Sequence, residues 1–281
     1  MTGLDLETYR LRASSVYSES TVRQRLYVLG EYARFLEERG MEPGAESLMA
    51  WLDELQRRGA PQGTLAVYAY AVLSYFDLML VKVDERVLRA VKRRARLPPP
   101  SGAEYLTEEE VRRLIEVAPP RRKLIYAFMY AYARRLGEVL RLTWRDVDLG
   151  RGTVAFRILK KRREEVAVYP LEPWIREMLS KYRSALGEDR LFPLSKQAVE
   201  RGFRRDCETA GIEPNGRRLR VHLLRHSRAT HLRARGVPLD VVSKWLLRHA
   251  KYDTTLGYYR AVTEEEVEKV PSAWEVLYGG A

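Results

Sequence analysis

His222-Leu-Leu-Arg225-His-Ser-Arg-Ala-Thr-His231, then Leu246-Leu-Arg-His249 and Thr254-Thr-Leu-Gly-Tyr258, is the stretch whose reading decides this chain. All four histidines, at 222, 226, 231 and 249, fall inside it. A spacing of three on a helix puts His222 and Arg225 on one face, a turn apart, and His226 lies four from His222 on that face too. The helix is expected over Val221–Arg235, stopped by Gly236, with a second over Pro238–Leu247 opened by proline in its first turn. Two arginines (Arg225, and Arg135 upstream), two histidines and a tyrosine make a receptacle for a phosphodiester. Guanidinium forks grip non-bridging oxygens, imidazole moves a proton, and a phenolate can attack phosphorus.

Charge agrees with such a partner. Fifty Lys and Arg against 38 Asp and Glu leave a net charge of +12 and a pI near 9.8. That excess draws a protein to polyanions, nucleic acid first, although thermophilic surfaces are also rich in Arg and Glu. The single cysteine, Cys207, excludes an internal disulfide and a cysteine-rich metal site and reads as a small core residue. No apolar run approaches the ~20 residues of a membrane span, and the first ten residues carry no signal-peptide pattern, so the cytoplasm is the expected location. There is no P-loop, no carboxylate cluster and no Cys/His metal spacing.

The chain breaks near residue 100. Lys92-Arg-Arg-Ala-Arg96 and Pro98-Pro-Pro-Ser-Gly102 form a basic, proline-stiffened linker that cannot continue a helix. Upstream, everything reads helical. Val22, Leu26, Leu29, Ala33 and Leu36 step by three and four behind a cap at Ser20 and end at Gly40, and further helices are expected at Glu46–Arg58, Gln62–Leu80 and Glu85–Lys92. Downstream, Thr107-Glu-Glu-Glu110 is a capping box, and Pro119-Pro120 end the helix that it starts. A helix over Arg121–Leu142 is expected to carry Arg135 in its C-terminal half, with Glu138 holding the guanidinium by an i,i+3 pair. Thr153–Leu159 and Val166–Tyr169 read as a β-hairpin with a basic tip, Lys160-Lys-Arg-Arg-Glu-Glu165. Helices follow at Pro173–Tyr182 and Ser195–Ala210, the latter closed by Gly211. The expected fold is therefore mainly α: a helical bundle over 1–97, a linker over 98–103, and a mostly helical domain over 104–281 with one small antiparallel hairpin sheet.

Taken together, Ala133-Arg-Arg135-Leu-Gly-Glu138, His222-x-x-Arg225 and His249 with Tyr258 nine residues on resemble the tyrosine recombinase (phage integrase) family, over nearly the whole chain. The chain departs at Ala133 and Arg248, where the family commonly has glycine, and at the hairpin, where Gly-Lys-Gly is missing. The resemblance implies a core-DNA-binding bundle followed by a catalytic domain, with Arg135, Lys160, His222, Arg225, His249 and Tyr258 as catalytic residues and no metal or cofactor. Lys161 stays open beside Lys160 as the general acid, and Tyr259 beside Tyr258 as the nucleophile. It further implies double-stranded DNA with a specific recombination site as partner, no membrane, and a homotetramer on two DNA sites. An Xer-type dimer-resolving recombinase leads. A mobile-element integrase, a type IB topoisomerase-like enzyme and a non-catalytic DNA-binding protein are the alternatives. The apolar chain end, Ala273 to Tyr278 after the capping box Thr263-Glu-Glu-Glu266, docks either on its own domain or on a neighbouring protomer.

Overall fold

The computed structural model describes residues 3–96, 104–160, 163–247 and 269–279, with the side chains of 159, 160, 163 and 164 outside the description. Two compact units emerge, Met1–Ser101 and Gly102–Ala281.

The first unit is five helices: α1 Leu6–Val16, α2 Glu19–Arg39, α3 Ala45–Arg57, α4 Gln62–Leu78 and α5 Glu85–Arg94. The expected α2 begins two residues earlier, because Ser18 rather than Ser20 caps it and accepts the Thr21 N–H, and Gly40 closes it in the left-handed region at φ 60°. α1 is an addition to the expected set, and Asp5 caps it. Tyr9, Leu29, Tyr32, Leu48, Trp51 and Val72 form the core. Buried hydroxyls there are satisfied in pairs, Tyr9 with Ser74 and Tyr32 with Ser47, each at 2.7 Å. Of the aromatics on α4, Tyr75 and Phe76 are buried, Tyr68 stacks on Trp51 with centroids 5.4 Å apart, and Tyr70 is exposed.

The second unit packs around α7, Pro120–Ala131, whose residues from Leu124 to Ala131 are all buried. α6 Glu108–Val117 starts at the expected Thr107–Glu110 capping box. Its sheet has three antiparallel strands in the order β1 Val147–Asp148, β2 Thr153–Lys160, β3 Arg163–Pro170. Val154, Phe156 and Ile158 face the core, as their alternation requires. Two expectations are corrected here. The strands run through the charged stretch, pairing Lys160 with Arg163, so only residues 161–162 separate them and the six-residue tip does not exist. β1 extends the hairpin to three strands. Beyond the sheet come α9 Pro173–Lys181, α10 Lys196–Thr209, α11 Leu223–Ala234, a π-helical turn at Val241–Leu246, and a final helix, here α12, Ala273–Tyr278. Among the described residues no helix is long and apolar enough to cross a membrane.

α12 lies on its own unit. Ala273, Val276 and Leu277 are buried in the core that α6 and α7 share. Its first turn donates Ala273 N–H and Trp274 N–H to the Glu172 carboxylate at 2.7 and 3.2 Å. The Arg228 guanidinium donates to the Pro271 and Ser272 carbonyls just before it.

Candidate active site

Arg135 is presented by a break, not by a helix interior. α7 stops at Ala131, Ala133 adopts φ 47°, and Arg135 becomes the N-cap of the short α8, Leu136–Val139. The expected continuous helix over 121–142 is thus two helices with a left-handed residue between them. Glu138 does hold Arg135 as its spacing predicts. One carboxylate oxygen accepts the Arg135 backbone N–H at 3.1 Å and the other accepts Nη1 at 3.0 Å. Glu138 is buried while the Arg135 side chain is 45% exposed, so the guanidinium is fixed from behind and open in front.

Arg225 comes to the same loop from the other end of the sequence. It lies in the first turn of α11, buried, donating Nη1 to the carbonyl of Ala133 and Nη2 to that of Leu247 at 2.8 Å. Burial, with Arg135 and Arg134 nearby, pulls its pKa below the usual arginine range. Glu138 acts against these cations. Gathered guanidiniums repel one another, and an anion placed among them relieves that repulsion.

His222 is the N-cap of α11, half-buried, so it starts the helix rather than lying within it. Its pKa is held down chiefly by burial, then by His226, Arg225 and Arg220, with Glu200 opposing. The ring is therefore neutral at pH 7 and able to take a proton. His231, a member of the same histidine cluster, has a different job. It is buried, with Nε2 at 2.9 Å from the Leu106 carbonyl and Nδ1 at 2.9 Å from the Tyr130 hydroxyl. Those partners set the tautomer: Nε2–H donates and Nδ1 accepts. Cys207 is also a core residue, its thiol pushed up to about 12 by burial.

Lys160 ends β2, while its side chain, Lys161, His249, Tyr258, Tyr259 and the Thr263–Glu266 box lie outside the described residues. Among the described residues no group of three or more His, Cys, Asp or Glu could hold a metal ion.

The motif Ala133-Arg-Arg135-Leu-Gly-Glu138 gives no role to Arg134, the neighbour of Arg135. Arg134 has no exposed surface. Its Nε donates to the Tyr132 carbonyl at 2.7 Å and its Nη2 to the carbonyl of Leu246. No signal in the sequence singles it out, because the apolar run Phe128-Met-Tyr-Ala-Tyr-Ala133 precedes the buried Arg134 and the exposed Arg135 alike.

Residues 104–266 match the family model described as the phage integrase family. Tyrosine recombinase XerA of Thermococcus onnurineus is 29% identical, covering 93% of this chain and 92% of that one. XerA of Pyrococcus furiosus is 30% identical, covering 94% and 92%. In structure the chain is similar to a lambda integrase dimer bound to a COC′ core site, with TM-score 0.65 at 18% identity, covering 92% of this chain and 97% of that one. The chain belongs to the phage integrase family, and so to the tyrosine recombinases.

Proposed function

We propose that this tyrosine recombinase is of the Xer type, cutting and rejoining double-stranded DNA at a specific site through a 3′-phosphotyrosyl intermediate. The observation that carries the reading is the meeting of Arg135 and Arg225 at the Ala133 loop, where Arg225 donates to the Ala133 carbonyl and feels the charge of Arg135; two guanidiniums so gathered suit one anion. Tyr258 attacks the scissile phosphorus. Its Oη–P bond forms as the P–O5′ bond breaks, the phenolic proton passes to neutral His222, and Lys160 protonates the departing 5′ oxygen. Arg135 and Arg225 stabilise the charge on the equatorial oxygens, and His249 donates to one of them. The ester retains the bond energy, so rejoining needs no nucleotide. The XerA relatives, matched over nine-tenths of both chains, support the Xer-type reading, and with it we infer resolution of chromosome or plasmid dimers rather than integration. Such exchange takes four protomers on two DNA sites, in the compartment that holds the DNA.

The test is a nicked suicide substrate carrying the recombination site. Tyr258→Phe should form no covalent adduct and still shift the DNA in a gel, while Tyr259→Phe cleaves. An adduct from Tyr258→Phe, with none from Tyr259→Phe, would move the nucleophile by one residue.

A further inference from the structure

We propose that Arg134 is a positioning residue for strand cleavage, acting through the end of the π-helical turn that leads to His249. The inference rests on the site proposed above. A helical turn ends with carbonyls that have no intrahelical partner, and here three in succession are met from three different elements. The Tyr169 hydroxyl of β3 donates to the Trp245 carbonyl at 3.2 Å. Arg134, from the loop before α8, donates to that of Leu246, and Arg225 of α11 donates to that of Leu247 at 2.8 Å. Leu246 precedes His249 by three residues. Arg134 therefore joins the loop that presents Arg135, through the Tyr132 carbonyl, to the chain that continues into His249.

Stability alone does not account for a guanidinium in this place. Burying one completely is costly unless its donors are met, and an apolar side chain of similar volume generally does as well or better. The surroundings are built to accept it all the same. The guanidinium carbon lies 5.2 Å from the Tyr169 ring centroid and 5.8 Å from that of Phe156. A cation also suits the negative end of a helical turn. What the arginine adds over a leucine or methionine is a fixed distance between two loops of the site.

Arg134→Met keeps the aliphatic packing and removes the donors. Single-turnover cleavage of the suicide substrate should fall on the order of 100-fold, the usual consequence of a misplacement of about 1 Å, with gel-shift affinity unchanged. Arg134→Lys should recover part of the rate. In a His249→Ala background the Arg134→Met penalty should largely vanish, since coupled residues are non-additive. Wild-type cleavage by Arg134→Met, or penalties that multiply in the double variant, overturns the proposal. If Arg134→Met loses its cooperative melting transition, the same cycle is run with Arg134→Lys and read by the same criterion. Wild-type cleavage by His249→Ala would instead strike the site assignment itself, whatever Arg134 does.

Discussion

At the scale of single residues, charge placement sets the chemistry. Arg225 spends two of its guanidinium donors on backbone carbonyls, so its place is fixed before any phosphate arrives. Replacing Arg225 or Arg135 by alanine should lower single-turnover cleavage by ~10²–10³. On the proposed reading each meets one phosphate among many, so removing it should change the salt slope of binding by about one unit. Equal losses in rate and affinity would make them binding residues only. His222 gives a second test, with a definite sign. A proton acceptor works in its neutral form, and burial holds the His222 pKa below 6.5. The rate should therefore hold as pH falls to 6.5 and decline only beneath it. Glu200 raises that pKa, so Glu200→Gln should carry the acid limb to still lower pH. A limb that stays in place in a pH–rate profile would remove His222 from the role of base.

At the scale of elements, the break between α7 and α8 decides where Arg135 points. Ala133 holds φ 47°, a conformation that costs an L-residue ~1–2 kcal/mol and glycine nothing. Ala133→Gly should stay within about 1 kcal/mol of the parent in urea unfolding, because relief of strain offsets the added freedom of the unfolded chain. Ala133→Val should cost more than that and should lower cleavage, since it bends the loop that both arginines use. This break was not legible from the residues: Tyr130, Leu136 and Val139 continue a helical apolar pattern across it, and an alanine gives no sign of a left-handed turn. The Arg135–Glu138 pair was legible, because i,i+3 spacing survives as an N-cap and N3 pair in a new helix. The hairpin was found from the alternation of Val154, Phe156 and Ile158. Its length was misjudged, because the charged run 160–165 reads as a turn although backbone pairing is indifferent to charge. Arg134 was invisible for a related reason: one-dimensional spacing ranks Arg135 correctly but carries no information on which arginine is buried.

At the scale of the whole molecule, α11 is the common member of several long-range ties. Its successive turns carry Arg225 to the Ala133 loop, Ser227 to Leu106, Arg228 to the Pro271–Ser272 backbone and His231 to Leu106 again. Removing the chain after Pro271 deletes the buried Val276 and Leu277, each worth about 1.5–3 kcal/mol when fully covered. The truncated protein should lose several degrees or more of melting temperature in the 102–281 unit. Unchanged melting with loss only of strand exchange would mean that α12 serves a neighbouring protomer in solution. The ties also set a timetable for synthesis. The Leu106 carbonyl waits for a histidine 125 residues further on, and Glu108 for an arginine 127 further on. Glu172 waits for an amide 101 residues away. At about 5–20 residues per second on the ribosome, roughly ten seconds pass before the opening of the catalytic unit meets its closing half. A nascent chain that already displays Arg135 therefore lacks Arg225, and the two guanidiniums meet only once the closing half of the unit has been made.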